Sequence, residues 1–272
     1  MTPPFVHLHV HSEYSAMSGV SSLEVLCRSA RRCGFPAMAL TDTNGLYGAI
    51  RFVEEAKQQG LRPILGAELT TANHRALLWV KSPEGYAALC QLLSARHGDP
   101  SFDFLEGVSR FRDGLIVATD DESALATWAA ESRDDLYVEL TPGPAMHHAL
   151  LLSRRLGLPS VATNRVHFSR TEEYATHRLL RAIAMNTTFS RLPADVCAAP
   201  GQWLMPAARM ALYFPHAPEA LENTARIAEA CHSDWRFGDT IFPAFRRMKD
   251  EDAFALLKEK TYEGGLRRYG SL

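Results

Sequence analysis

The chain has no Cys-x-x-Cys pair, no glycine-rich phosphate loop and no serine nucleophile elbow. No apolar run approaches the ~20 residues that a membrane span requires. Its five cysteines (Cys27, Cys33, Cys90, Cys197 and Cys231) are scattered. That odd count and spacing argue against a disulfide framework or a zinc ribbon, and for reduced thiols in the cytoplasm. The N-terminus lacks the basic, apolar and small-residue succession of a secretory signal. A formal net charge of −2 excludes bulk attraction to nucleic acid or an anionic membrane, so any contact with DNA must rest on a local patch. The basic runs Arg28/Arg31/Arg32 and Arg246/Arg247/Lys249 carry no interleaved aromatics of the kind that stack bases, and read as solvated faces.

What is present is an ordinary globular composition, 46% apolar and 22% charged over 272 residues. That suits one large α/β barrel, or a domain with an appendage. Strand-like runs fall at Phe5–Val10, Ala37–Thr41, Pro63–Leu69, Ala76–Lys81, Leu115–Ala118, Leu136–Leu140 and Ser160–Thr163. Between them lie helical stretches: one from the Ser21/Ser22 cap to Gly34, then Tyr47–Gln59, Pro83–Ser94, Ser123–Glu131 and Ala145–Leu156. The alternation predicts parallel strands joined by crossover helices, closing into a distorted seven-stranded βα barrel over residues 1–170. From about Glu172 the pattern is helical without strands: Thr171–Met185, Pro218–His232 and Glu251–Arg268, with a Pro- and Ala-rich stretch at Pro193–Pro206. Residues 171–272 therefore read as a helical C-terminal extension, and the abrupt end suggests the front portion of a longer polypeptide.

Chemistry concentrates in Phe5-Val6-His7-Leu8-His9-Val10-His11. An extended chain sends successive side chains to opposite faces, so the three imidazoles project together while Val6, Leu8 and Val10 fill the other side. Imidazoles on a core-facing stripe need partners, and a metal ion or an anion supplies one. His9 and His11 are the leading metal ligands, with His7 deeper as a secondary candidate; solvated histidines on an edge strand are the plainer alternative. In a βα barrel chemistry sits at the C-terminal strand ends. Glu68, behind Gly66, ends the third strand, where a carboxylate can bridge cations. His167 lies just past the seventh strand. Asp42, after the second, reads equally as a ligand or as an Asx-turn residue. The remaining histidines, His74 and His177 among them, read as surface or helix-face residues.

Three segments together carry a resemblance: His9-x-His11-Ser12-x-Tyr14-Ser15, Ala39-Leu40-Thr41-Asp42-x-x-Gly45-Leu46-x-Gly48-Ala49 and Pro63-Ile64-Leu65-Gly66-Ala67-Glu68. They are similar to the PHP (polymerase and histidinol phosphatase) family, and within it to the N-terminal PHP domains of bacterial DNA polymerase III alpha subunits, the C-family polymerases. The likeness continues through Leu136-Tyr137-Val138-Glu139-Leu140, Pro159-x-Val161-Ala162-Thr163-Asn164-x-x-His167 and the segment from Pro218 to Cys231. Residues 263–270 resemble the segment leading into the polymerase palm. The resemblance implies a barrel with a centre of up to three metal ions, which supports 3′→5′ exonuclease proofreading in some members. In others it is metal-free and serves as a scaffold, including for docking a separate proofreading subunit.

The same resemblance implies a damaged centre. His9, His11, Glu68 and His167 match ligand positions. Ser18 stands in place of an aspartate, Thr43 and Arg75 in place of histidines, and Arg165 in place of an aspartate. A position near Asp121 is also altered, and His74 could serve at the Arg75 position only with a one-residue shift. A guanidinium stays charged, so both arginines oppose a dication or replace it by pairing with Glu68 or Asp42. The expectation is a PHP module with a structural role in DNA replication. It would hold zinc, manganese or iron at low occupancy, or no metal. It would meet DNA, a proofreading subunit or other replisome proteins through its parent polymerase. The alternative is a metal-dependent phosphoesterase or exonuclease retaining one or two ions.

Overall fold

The structure, a computed structural model, describes residues 4–237, 245 and 248–270. Six strands in sequential order form one sheet curled into a half-barrel: β1 (Ala37–Leu40), β2 (Arg62–Thr70), β3 (Arg75–Val80), β4 (Leu115–Thr119), β5 (Leu136–Leu140) and β6 (Ser160–Ala162). Ten helices accompany them among the described residues. In the barrel region these are α1 (Leu23–Arg32), α2 (Ala49–Gln58), α3 (Pro83–Gly98), α4 (Phe104–Phe111), α5 (Glu122–Glu131) and α6 (Met146–Leu156). Then come α7 (Tyr174–Ala184), α8 (Ala207–Ala211), α9 (Pro218–Ala230) and α10 (Asp250–Tyr269). Arg246 and Arg247 of the second basic run lie outside the described residues.

Three expectations need correction, the last of which leaves six strands where seven were expected. The sheet is not all parallel: β3 runs antiparallel to both β2 and β4. Only residues 71–74 join β2 to β3, closed by the Thr71 N–H donating to His74 O (2.9 Å). A parallel crossover needs a dozen residues or more, so this connection can only make a hairpin. Helix α4 was not anticipated. Asp103 caps it by accepting from Glu106 N–H, and Phe104 and Val108 are its buried residues, too short an apolar stripe to stand out.

Phe5–Val10 is not a regular strand. It runs extended beside β1, with Ala39 N–H donating to His7 O (2.9 Å) and Thr41 N–H to Val10 O (2.9 Å). On its other side Val10 bridges Val166, with His11 N–H donating to Val166 O (2.8 Å). The segment is thereby stitched between β1 and the chain just beyond β6, which brings the histidines opposite His167.

Apolar strand residues and this segment make the core: Val6, Leu8, Ala39, Ile64, Leu77, Trp79, Ile116 and Val161, covered by Ile227 and Ala228 of α9. Burying each large side chain stabilises by roughly 1.5–3 kcal/mol. Polar ends inside it are bonded. Trp79 Nε1–H donates to Leu8 O (2.7 Å), and α9 ties in through Asn223 Nδ2–H to Ser160 O (2.8 Å). Gly66 is required by close approach, since a Cβ there would lie 2.3 Å from Leu78 O of β3.

By internal contacts the chain divides into Met1–Trp235 and Arg236–Leu272. In the second, α10 buries none of its residues; acidic residues fill its first turn, basic ones its last, and Gly270 (φ 76°) ends it. No described helix is long and apolar enough to cross a membrane.

Candidate metal centre

His9, His11 and Glu68 converge. One ligand atom from each lies within 4.8 Å of the others, and all three residues are buried. The alternating segment supplies the imidazoles, and the C-terminal part of β2 the carboxylate. His9 Nε2 stands 3.3 Å from Glu68 Oε1 and 3.1 Å from His11 Nε2.

Hydrogen bonds around the rings decide what they offer. On its outer side His9 Nδ1–H donates to Glu139 Oε1 (2.7 Å), which accepts also from the Thr163 hydroxyl (2.5 Å). Glu139 Oε2 accepts from Arg75 (2.5 Å). Burial pushes Glu139 up, but Arg75 and His9 outweigh it and hold the carboxyl well below its ordinary range. His11 Nδ1 lies 3.0 Å from Ser15 Oγ. Burial drives the His11 pKa down to about 3, helped by the charges of Arg165 and Arg75, so the ring is neutral. Burial would raise Glu68 too, yet its interactions with His11, His9 and Arg165 keep it well below the usual carboxylate range.

With Nδ1 of His9 turned to Glu139 and Nδ1 of His11 to Ser15, the two Nε2 atoms face each other at 3.1 Å. Beside them Glu68 Oε1 has no hydrogen-bond partner. Facing ring nitrogens and an orphaned anionic oxygen leave a hole for a cation, and each ring is oriented from behind, by a carboxylate or a hydroxyl, as metal-bound imidazoles are. Two imidazoles and a carboxylate suit zinc, manganese or iron. The residues fit a single divalent ion.

The other predicted residues are placed differently. His167 is buried, but its ring stacks on His11 (centroids 4.4 Å apart), and Nδ1 faces Ser18 Oγ at 3.2 Å. It is not within the three-residue ligand group. His7 Nε2–H donates to Met205 O (2.8 Å), and burial lowers its pKa to about 4. Asp42 is enclosed by donors: Ser12 N–H and Ser12 Oγ–H (both 2.7 Å) and Ser15 Oγ–H (2.6 Å). Thr43 Oγ1 donates to Glu68 Oε2 (3.1 Å).

Neither arginine reaches Asp42. Arg75 pairs with Glu139 and with Asp120 Oδ1 (2.7 Å), and passes Glu68 Oε1 at 3.9 Å. Arg165, in a left-handed backbone conformation (φ 44°), brings Nη2 to 3.7 Å from the same oxygen. His74 turns away to Asp121 Oδ2 (2.5 Å) and stacks on Phe104. Over the site opens a cavity of about 570 Å³, lined among others by Ser18, Thr43, Glu68, Arg75, Arg165 and His167.

Three participants escaped sequence reading. Glu139 sits in an apolar strand run within the family-like segment, and nothing local marks which face it takes. Ser15 sits four residues beyond His11. His177 is buried, not a surface residue: Nδ1–H donates to Ser18 O (2.8 Å), and Nε2 accepts from Ala198 N–H (2.8 Å). The helical spacing of α7 gave no hint of the loops packed over it.

Residues 7–183 match the PHP domain family, and the chain belongs to it. More particularly, it is a PHP domain homologous to part of the DNA polymerase III alpha subunit. It is 33% identical over 312 residues to the error-prone DNA polymerase of Symbiobacterium thermophilum, covering 98% of this chain and 29% of that protein. It is 30% identical over 296 residues to DNA polymerase III subunit alpha of Bacillus subtilis, covering 98% and 26% respectively. The chain thus spans under a third of the length of these relatives. Among solved structures, PsfC from Pseudomonas syringae aligns with a TM-score of 0.43 at 15% identity, covering 85% of this chain and 99% of that one.

Proposed function

We propose that the chain is the N-terminal PHP module of a bacterial C-family DNA polymerase. Its main role would be to support the polymerase core during replication, and its metal centre is reduced to one weak cation site. Residues 1–170 form the barrel part and 171–272 the helical extension toward the palm. The observation that carries this reading is the crowding of Glu68 Oε1 by two guanidiniums, at 3.9 and 3.7 Å, where among the described residues three ligand groups cluster. At a surface-like effective dielectric each such contact is worth on the order of a few kcal/mol, less for the part-exposed Arg165. A dication meets that opposition twice.

His9, His11 and Glu68 would hold zinc, manganese or iron at low occupancy. A bound divalent ion would supply Lewis acidity at the floor of the cavity. The chain's own part is to orient: Glu139 fixes His9, Ser15 fixes His11, and Thr43 turns Glu68. DNA and a proofreading subunit or other replisome proteins would be met through the parent polymerase. Metal analysis of protein purified without chelator, with a degradation assay on single-stranded DNA, tests the reading. At most one ion per chain and intact DNA are expected. Two or three ions, with degradation abolished by His9→Ala, would overturn it.

A second reading, a phosphoesterase or 3′→5′ exonuclease on one retained ion, is favoured by the facing Nε2 atoms beneath an open cavity. The degradation assay decides between them.

A further inference from the structure

We infer that Ser15, anchored by Asp42, is a positioning residue that keeps the His11 proton on Nδ1 and so prevents the cation site from sealing itself. The inference deepens the one-cation reading and rests on it only for its consequence in metal affinity.

The proton count around Ser15 is closed. Its hydroxyl has one proton and three polar neighbours: Asp42 Oδ1 at 2.6 Å, Thr43 N–H at 3.1 Å and His11 Nδ1 at 3.0 Å. The amide can only donate. Asp42 otherwise receives the Ser12 amide on Oδ1 and the Ser12 hydroxyl on Oδ2, so every contact treats it as an acceptor. The Ser15 proton therefore goes to Asp42, the shortest contact, and Ser15 Oγ presents a lone pair to His11. The second neighbour of Nδ1, Thr43 Oγ1 at 3.4 Å, gives its proton to Glu68 Oε2 and is likewise an acceptor. Among the described residues neither neighbour of Nδ1 can donate to it. The ring must carry its proton there, leaving Nε2 bare.

The alternative tautomer is costly only because of this cage. With the proton on Nε2, His11 would donate straight to His9 Nε2, 3.1 Å away, and the two rings would close on each other. Without the Ser15 acceptor that internal hydrogen bond is the cheapest arrangement, because a buried Nδ1–H left without a partner costs more than a buried lone pair. The cation site would then be filled by a proton.

Two-bond proton–nitrogen correlation spectra of ¹⁵N-histidine-labelled chain, in chelator at neutral pH, read the tautomer directly. Wild type and Ser15→Thr are expected to show His11 Nδ1–H. Ser15→Ala combined with Thr43→Val, which removes both acceptors, is expected to show Nε2–H. Zinc affinity by calorimetry should fall on the order of tenfold or more in the double variant and return in Ser15→Thr. An Nε2–H signal in wild type, or an Nδ1–H signal in the folded double variant, would overturn the inference. The wild-type arm requires no variant to fold. A tautomer switch without zinc binding in any form would leave the role of Ser15 standing and remove the one-cation reading instead.

Discussion

Arg75 and Arg165 come within 0.2 Å of the same distance from Glu68 Oε1, 3.9 and 3.7 Å, and stand in opposite physical situations. Arg75 opens β3 with its side chain largely buried and both terminal nitrogens engaged, on Glu139 and Asp120. Burial alone would weaken its charge, but Glu139, Asp120 and Glu68 outweigh burial and raise its pKa. Arg165 follows β6 on a strained left-handed residue, with a third of its side chain exposed. Its Nε is buried without a partner, and among the described residues its one ion pair is with Glu68, at a distance beyond hydrogen bonding. One guanidinium is a structural member. The other stands over the site without being built into it.

The largest test of that contrast is stability. Arg75→Met leaves Glu139 charged and buried, so urea unfolding should show a loss of about 3–5 kcal/mol, whereas Arg165→Met should stay within about 0.5 kcal/mol. Equal losses would break the comparison.

Acid provides the next effect, because guanidiniums do not titrate and buried imidazoles do. His7 has a folded pKa of about 4, below its ordinary 6.5. The unfolded chain therefore binds the proton first. The stability His7 contributes is complete above pH 6.5 and is lost as pH falls from there toward 4. In chelator His7 should contribute up to about 1.4 kcal/mol per pH unit to a slope that His11 and His167, also lowered by burial, share. His7→Gln should reduce the slope by that share and leave the rest.

Metal affinity should separate the arginines more finely. Removing the charge of Arg165 should strengthen manganese binding by about tenfold, or roughly 1.4 kcal/mol, measured by calorimetry. No change would mean that Arg165 does not oppose the cation. Smallest is the backbone effect. Arg165→Asn, a residue that tolerates the left-handed region, should raise the melting temperature by a few degrees, from at most about 1 kcal/mol of relieved strain.

The histidine stripe and the carboxylate behind a glycine were legible because both depend on local periodicity. So were the strand positions: all six strands of the sheet fall within a residue of the expected bounds. The direction of β3 was not, since a strand run reads the same both ways and only the four-residue connection to β2 betrays it. Glu139 and Ser15 were missed for a related reason: each serves a histidine on another element or turn, and such partnerships are fixed by packing. His167 was placed correctly past a strand end, yet its stacking on His11 depends on the stitching of residues 9–11 to Val166, which no periodicity encodes.

The reversal of β3 has a consequence for how the site could change. Thr70 faces Arg75 across the hairpin, so a first residue, not a last, arrives at the mouth of the half-barrel. A slip of one position along that ladder would exchange the side chain presented there, withdrawing the guanidinium and offering His74 or Ala76 instead. The electrical sign of this wall is thus set by the length of a tight four-residue turn, and one inserted or deleted residue there would alter it without touching any ligand.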